Sequence, residues 1–280
     1  MVIVAVFKTE KLTSFDADAL YSQVEGIITN ETTGQSFEKG NLLGKGGNGC
    51  CFKVRDIESN ETLACKASWK CKYSLNEAKM LKSLDHPNIV KCFQHFCDKK
   101  FQYIIMERCD SSLLDICLEK EKDVNSIQNY VRQIAKACHY LHTKKHIIHG
   151  DLKPENILLK NGVVKLADFE IIMKQLCGVE IDCWALGCTI FQLFKGKTVF
   201  NCNDLEEINH IFINNKFKVP LTSCSKANML IRGLLKTNPQ RRYSMKDVLK
   251  STFVKQPVIH APLNKRVQAA RNRRKKFLNL

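Results

Sequence analysis

The sequence predicts an α+β protein of two lobes, a small antiparallel β-lobe with one main helix and a larger, mainly α-helical lobe. Two observations support this prediction. Short β-type runs separated by turn residues occupy the chain from about residue 37 to Met106, and apolar residues recur at helical spacing beyond Asp110. With 280 residues, the chain is long enough for one unit of two lobes.

The small lobe is predicted over residues 37–106, after an N-terminal extension over residues 1–36 with little core of its own. Its β-type runs are Asn41 to Leu43, Cys50 to Val54, Thr62 to Lys66 and Phe101 to Met106. Apolar residues recur at helical spacing from Ser74 to Leu84, so one helix interrupts the strands. Turn residues between the runs favour an antiparallel sheet.

A glycine-rich segment, Gly44 to Gly49, lies between two of the predicted strands. Glycines occupy its first, third and sixth places, so the backbone can close over phosphate groups without a Cβ in the way. Taken alone, the segment is equally typical of a glycine-rich hairpin. Its position between strands, and not before a helix, argues against a dinucleotide-binding fold.

The large lobe and the segment joining it to the small lobe are predicted over residues 107–254. The clearest helix runs from Asn125 to His142, with Asn125 as its expected cap. The apolar face of this helix carries Ile127, Val131, Ile134, Cys138 and Leu141.

The segment His149 to Asn156 is the most informative stretch of the chain, and Asp168 follows it by twelve residues. It places an Asp, a Lys and an Asn at fixed offsets, with a second Asp downstream. Phosphoryl transfer mainly requires a hydroxyl to be placed against a metal-bound phosphate, and these residue types supply that placement.

These motifs give the chain, from about Phe37 to Phe253, a resemblance to the eukaryotic protein kinase superfamily. Lys153 to Asn156 resembles its serine/threonine branch, and within that branch the chain is most similar to polo-like kinases. The segments that carry this closer similarity are Leu43 to Gly47, Cys51-Phe52, Leu176 to Gly178, Trp184 to Cys188, Gly196-Lys197 with Phe200, and Leu235 to Pro239.

The resemblance implies the bilobal protein kinase fold, ATP and Mg²⁺ as cofactors, and protein Ser/Thr hydroxyls as substrates. It implies that Asp151 accepts or orients the hydroxyl proton and that Lys153 neutralises charge on the moving phosphoryl group. It implies that Lys66 contacts the α- and β-phosphates while paired with Glu77.

The resemblance also implies the remaining binding residues. Asn156 and Asp168 are the expected magnesium ligands. The expected nucleotide-binding positions are Leu43, Gly44, Lys45, Gly46, Gly47, Asn48, Gly49, Cys51, Ala64 and Lys66, with Met106, Glu107 and Cys109 at the hinge.

Three departures from the family pattern concern function. Gly150 replaces the arginine that would contact a phosphate on the activation segment, and Glu170 replaces a glycine. Asp182 follows Asp168 by only fourteen positions, so the platform for the substrate peptide is expected to be missing. Arg242 resembles the arginine that pairs with a glutamate of that platform, which leaves Glu180 as its possible partner.

Three hypotheses follow. The first is a serine/threonine protein kinase that needs no phosphorylation of its activation segment. The second is an ATP-binding pseudokinase scaffold that cannot seat a substrate peptide, and the third is an incomplete gene product. The substrate and pathway cannot be read from the residues.

Charge and cysteine content limit the binding partners and the cellular compartment that we expect for this chain. The net charge is +16, and the tail over residues 255–280 is basic, which indicates either contact with an anionic partner or import factor, or a solvated end. Specific nucleic-acid binding and a membrane span are not expected. No two of the 14 cysteines have C-x-x-C spacing, so reduced thiols in a cytoplasmic or nuclear compartment are expected.

Overall fold

The computed structural model describes residues 16–46, 49–70, 72–121, 123–169, 178–200, 217–219 and 221–255, with only the backbone for residues 72–76. Within these residues, the predicted separation of a strand-rich small lobe from a helical large lobe is confirmed. No helix in this part of the chain has the length and apolar character needed to cross a bilayer.

The small lobe is built on a six-stranded antiparallel sheet in the order β1-β2-β3-β4-β6-β5. Its strands are β1 Ile27–Thr29, β2 Ser36–Gly46, β3 Gly49–Asp56, β4 Thr62–Trp69, β5 Cys92–Cys97 and β6 Phe101–Met106. Helix α1, Ala17–Gln23, packs on this sheet, and helix α2, Lys72–Lys82, lies between β4 and β5.

The two faces of the sheet bury different cores because successive side chains of a strand point to opposite faces. In β4, Leu63, Cys65 and Ala67 join the core beneath α1. Ala64 belongs to the larger core that continues into the large lobe. The period of two therefore directs Lys66, two residues after Ala64, toward the junction of the lobes.

The N-terminal segment is part of the small lobe from Ala17 onward. Leu20, Val24 and Ile28 are buried in the core of the sheet, and β1 pairs with β2. This corrects the expectation that residues 1–36 have little core, since the boundary at residue 37 separates sequence patterns but not packing. Residues 1–15 lie outside the described residues.

The large lobe contains helices along most of its described length. They are α3 Leu113–Leu118, α4 Val124–Tyr140, α5 Glu180–Lys195, α6 Ser225–Leu234, α7 Met245–Lys250 and α8 Thr252–Lys255. A small sheet, β7 Ser111–Ser112, β8 Ile157–Lys160 and β9 Val163–Leu166, lies at the edge facing the small lobe.

Helix α4 confirms the predicted apolar face, because Ile127, Val131 and Ile134 are at most 1% exposed. The predicted cap is wrong. The carboxylate of Asp123, two residues earlier, accepts the backbone N–H groups of Asn125 and of the following serine. An aspartate that precedes the first turn satisfies donors that have no partner within the helix.

A short set of backbone hydrogen bonds joins the lobes. Val90 donates its N–H to the carbonyl of Leu166 in β9, and Leu166 donates to the carbonyl of Asn88, both at 2.9 Å. The buried Asn88 amide also donates to Gln133 Oε1 at 2.8 Å and to the Val164 carbonyl at 3.1 Å. The segment before β5 is thereby fixed to the large lobe.

Candidate active site

Lys66 lies at the junction of the lobes between two carboxylates. Its Nζ is 2.6 Å from Glu77 Oε1 and 2.6 Å from Asp168 Oδ1. The lysine and glutamate side chains are only 13% and 16% exposed, whereas that of Asp168 is 49% exposed. Strand β4, helix α2 and the segment after β9 each contribute one member. The structure thus brings Asp168, which is 102 residues from Lys66 in the sequence, to the pair of Lys66 and Glu77.

Opposite charges hold Lys66 and Asp168 in their charged forms. Burial lowers the pKa of Lys66, but the charges of Glu77 and Asp168 outweigh it, and the net pKa is raised. Burial raises the pKa of Asp168, but Lys66 reverses this effect, and the net pKa lies below its ordinary value. At neutral pH the site therefore holds the Lys66 ammonium facing the Asp168 carboxylate.

The segment from Asp151 to Asn156 forms a second polar cluster in the large lobe. Lys153 Nζ is 2.5 Å from Asp151 Oδ2, and the Asn156 amide donates to the same oxygen at 2.7 Å and to the Asp151 carbonyl at 3.0 Å. A 3₁₀ turn, Pro154–Asn156, brings these side chains back on each other. Asp151 is thereby held in one orientation by two donors.

The backbone that carries Asp151 is fixed by Asp182, a fully buried residue of α5. Asp182 Oδ2 accepts from the His149 N–H at 2.9 Å and from His142 Nε2 at 2.7 Å, and Oδ1 accepts from the Gly150 N–H at 3.0 Å. His142 lies in a π-helical turn, Leu141–Lys145, that continues α4. Sequence reasoning missed His142; the only signal was its position just after the apolar stripe of that helix.

Asp168 adopts an unusual backbone conformation. Its φ is 55°, in the left-handed region that residues other than glycine seldom occupy. The next residue, Phe169, is buried and lies 4.5 Å from the His149 ring. This packing holds the segment in place, so that the Asp168 carboxylate faces Lys66.

The donor set of Asn156 and Asp168 fits a hard cation such as Mg²⁺. The Asn156 amide nitrogen is used by Asp151, which leaves its Oδ1 as an acceptor, and Lys66 occupies only one of the Asp168 oxygens. Mg²⁺ prefers oxygen ligands and keeps several waters. These two residues would hold the ion, which would supply charge neutralisation on the phosphates.

The ends of β2 and β3 at the glycine-rich segment form the upper wall, or roof, of the candidate site. Their glycines let the backbone come close to neighbouring groups. A Cβ at Gly49 would lie 2.4 Å from the Ala67 carbonyl, so only glycine fits there. A Cβ at Gly44 would meet no atom within 4 Å among the described residues, so packing does not require this glycine, which fits approach by a phosphate. Gly47 and Asn48 lie outside the described residues.

The other roof residues are found on the exposed end of β2. Leu43 is 50% exposed, and Lys45 and Gly46 are also exposed. Lys45 Nζ lies 2.6 Å from Asp18 Oδ2, so α1 reaches this strand. Sequence reasoning did not indicate that contact.

The hinge leaves particular backbone groups available. The Glu107 N–H donates to the Lys91 carbonyl at 2.9 Å, whereas the Glu107 carbonyl and both backbone polar groups of Cys109 make no hydrogen bond with any described residue. An adenine ring presents both donors and acceptors along one edge. These groups and the buried Met106 before them fit such a ring.

The Glu107 side chain is buried and paired with lysines of β8 and β9. It is 6% exposed, and its Oε1 accepts from Lys165 Nζ at 2.7 Å and from the Lys91 N–H at 2.8 Å. Lys160 Nζ lies 3.3 Å from the other oxygen. The carboxylate therefore anchors the hinge to β8 and β9, a role that sequence reasoning missed.

Small side chains line the roof next to Lys66. Cys51 is the register partner of both Gly44 and Lys66, and Ala64 is paired with Met106 across the sheet. Burial raises the pKa of the Cys51 thiol to about 12, so this thiol stays uncharged and apolar in character.

Arg242 is occupied by groups of its own lobe. Its guanidinium donates to the backbone carbonyl of Glu180 at 2.8 Å and to that of Lys236 at 2.9 and 3.1 Å. It also lies 4.9 Å from the Trp184 ring. The expected partner Glu180 is thus present, but through its main chain and not its carboxylate.

Some predicted features lie outside the described residues. They are Glu170, the segment Leu176-Cys177 and the basic tail beyond residue 255. The described cysteines are free thiols.

The strand-rich lobe and the helical lobe form a bilobal α+β fold. Burial lowers the pKa of Lys153, but its hydrogen bond to Asp151 and nearby charges, that of Asp168 among them, raise it, so the Lys66 cluster lies near the Asp151 cluster. The family model of the protein kinase domain matches residues 37–174 and 170–254. The chain therefore belongs to the protein kinase domain family.

Its relatives include serine/threonine kinases. An Aurora kinase of Candida glabrata is 34% identical over 259 residues, covering 80% of this chain and 72% of the relative. Serine/threonine-protein kinase PLK2 of Mus musculus is 27% identical, covering 82% of this chain, and PLK1 of Xenopus tropicalis is 28% identical with the same coverage. The chain spans only 39% and 44% of the length of these two relatives.

Proposed function

We propose that this chain is an active serine/threonine protein kinase of the polo-like type that transfers the γ-phosphate of ATP to protein hydroxyls. The observation that carries the proposal is the position of Lys66, 2.6 Å from both Glu77 and Asp168. The sequence similarity to PLK1 and PLK2 supports the subtype.

Each polar side chain would have a separate task. Lys66 would bind phosphate oxygens while Glu77 orients it. Asp151 would accept or orient the proton of the substrate hydroxyl, and Lys153 would offset the charge that develops beside it. Asn156 and Asp168 would hold Mg²⁺, as their donor set indicates.

We further propose that the enzyme works without phosphorylation of an activation segment. Gly150 has no side chain to contact a phosphate, and its loop is already held by Asp182. The two matched segments of the family model meet within residues 170–174, which supports a shortened segment between Asp168 and Asp182. Substrate docking would then differ from that of a longer kinase.

The decisive experiment measures transfer of labelled phosphate from Mg²⁺-ATP to casein or to the protein itself. Asp151→Asn should lower the rate by a factor on the order of 10² to 10⁴, since it removes the proton acceptor. Glu58→Gln, which changes an exposed carboxylate in the turn after β3, serves as the control and should retain the wild-type rate.

The alternative is an ATP-binding pseudokinase scaffold. It predicts a thermal shift with ATP but no labelling in wild type or either variant. Labelling that Asp151→Asn does not reduce would come from a contaminant, and it would also remove the support for the proposed catalytic role.

A further inference from the structure

Helix α1 packs against the strand that leads into the glycine-rich segment. Ala17, Leu20 and Val24 on one side of the helix region are buried with Phe52 of β3 beneath them. The Tyr21 ring meets Phe52 edge-on, with ring centres 5.6 Å apart. The helix thus lies over the pair β2 and β3, which together form the roof of the proposed nucleotide site.

Strand β2 is irregular beneath this helix. Its pairing with β3 shifts register between Lys39 and Leu42 and again between Leu42 and Gly44. An extra residue in one strand interrupts the ladder and bends the strand. Backbone groups at the irregularity need partners from elsewhere, since an unpaired buried carbonyl is costly.

Helix α1 supplies one such partner, and a side chain of β2 bonds to the helix in return. The Tyr21 hydroxyl donates to the carbonyl of Gly40, inside the irregular stretch, at 2.8 Å. Lys39 Nζ donates to the carbonyls of Tyr21 and Val24 at 2.8 and 2.7 Å, and it lies 4.2 Å from the centre of the Tyr21 ring. The bend of β2 and the end of α1 are therefore fixed to each other.

A third contact lies in the glycine-rich segment. Asp18 Oδ2 is 2.6 Å from the ammonium of Lys45, which stands between Gly44 and Gly46. Both side chains are at least half exposed, so this ion pair contributes little by itself. The ion pair adds a third point of contact, so that α1 contacts β2 at residues 39, 40 and 45.

We propose that α1 is a brace that sets the position of the glycine-rich strand over the phosphates, with Tyr21 as its main positioning residue. The proposal rests on the nucleotide-binding function proposed above. A brace of this kind acts on phosphate affinity, since β2 up to Gly46 and β3 from Gly49 form the roof over that part of the nucleotide. It leaves adenine binding at the hinge, near Cys109, unchanged.

The test compares the dissociation constants of Mg²⁺-ATP and of adenosine by isothermal titration calorimetry. Tyr21→Phe removes one hydroxyl and keeps the ring, so it should weaken ATP binding by about two- to fivefold, the equivalent of part or all of one net hydrogen bond. Adenosine affinity should not change. Asp18→Ala should weaken ATP binding by up to about threefold, in the same selective way.

Ser22→Ala is the matched control, since Ser22 is an exposed residue of α1 whose hydroxyl, among the described residues, bonds only within the helix. It should change neither affinity. Asp18→Ala removes no buried group. If Tyr21→Phe does not fold, Asp18→Ala alone tests whether α1 affects ATP affinity.

The outcomes separate this proposal from the proposed function. Wild-type protein that binds neither ligand would overturn both. Wild-type protein that binds both, with variants that keep the ratio of ATP to adenosine affinity or lose both affinities equally, would overturn the brace alone and leave α1 as a purely stabilising element.

Discussion

Asp182 is fully buried, and it holds the loop that carries Asp151 through two hydrogen bonds and His142 through a third. A carboxylate can accept at both oxygens, and two of its donors here are backbone N–H groups. Burial raises the pKa of Asp182, but the hydrogen bond from His142 and further donors outweigh it, and the net pKa lies below the ordinary value of 3.8. An ionised aspartate accepts but never donates, so His142 must present its Nε2–H.

Asp182→Asn should lower the free energy of unfolding at pH 7 by about 3 kcal/mol, because an amide accepts at only one position and faces a backbone N–H with the other. The depressed pKa of Asp182 stabilises the fold above about pH 4, and this contribution is lost as the pH falls through the folded-state pKa. Urea denaturation at several pH values should therefore show the difference between wild type and variant shrinking below about pH 4.

Asp85→Asn, at an exposed carboxylate, is the control and should show no such difference. A gap between wild type and Asp182→Asn that stays constant down to low pH would mean that the carboxylate charge does not matter.

Gly150 has a φ of 84°, a left-handed conformation that glycine adopts without steric cost. Gly150→Ala should therefore lower the free energy of unfolding by about 1 kcal/mol. Gly26→Ala is the matched control, because Gly26 lies outside the left-handed region and its Cβ would meet open space among the described residues. Equal urea midpoints for the two variants would contradict this explanation.

At the scale of elements, the hinge is held by the buried carboxylate of Glu107. Burial raises the pKa of Glu107, but hydrogen bonds led by that of Lys165 outweigh it and leave the net pKa lowered. Glu107→Gln places an amide NH₂ group against one of the lysines. The free energy of unfolding should fall by about 1–2 kcal/mol. This is less than the usual loss when a buried ion pair is broken, because Lys160 is 39% exposed.

Urea denaturation measures this change, and Glu61→Gln, at an exposed site in the turn before β4, controls for loss of a negative charge. Adenosine affinity should also fall in Glu107→Gln, since the hinge backbone loses its anchor. Unchanged stability together with unchanged affinity would show that solvent replaces the lost contacts.

Elements with strong local patterns could be predicted from the sequence, and those defined by pairing could not. The apolar face of α4 could be predicted because its members recur at helical spacing, and the last of the five, Leu141, lies in the turn that continues the helix. Strand β5 was missed, since Cys92–Cys97 mixes polar and aromatic residues and becomes a strand through its pairing with β6. Helix α1 was missed because only a few apolar residues mark it.

In the candidate site, too, residues with local contacts could be predicted from the sequence, and those with long-range partners could not. Offsets along the chain were enough to select Asp151, Lys153 and Asn156, whose contacts are local. The partnership of His142 with Asp182 spans 40 residues and involves no recognisable spacing. Sequence spacing could also not reveal that Arg242 would bond to main-chain carbonyls.

At the scale of the whole molecule, one apolar core crosses the junction, since Ile104 and Met106 of the small lobe belong to the core that continues through the large lobe. Asn88 adds polar links at the same place. We expect the lobes to unfold together, with coincident urea transitions by tryptophan fluorescence and by far-UV circular dichroism. One tryptophan lies in each lobe, Trp69 and Trp184.

Asn88→Ala should lower the free energy of unfolding by about 2 kcal/mol, since it leaves a buried carbonyl and Gln133 short of a donor. Asn125→Ala is the control, because its side chain makes no hydrogen bond among the described residues. Separate transitions by the two probes in the wild-type protein would contradict a single cooperative unit.

A buried cysteine in each lobe allows the opening of that lobe to be followed by chemical labelling. Burial raises the pKa of Cys65 and of Cys138 well above the ordinary value, in the small and the large lobe respectively. Because alkylation requires an exposed thiolate, a brief pulse of iodoacetamide should modify these two positions only in molecules that have opened. Mass spectrometry of the labelled peptides would then time the opening of each lobe without any introduced dye.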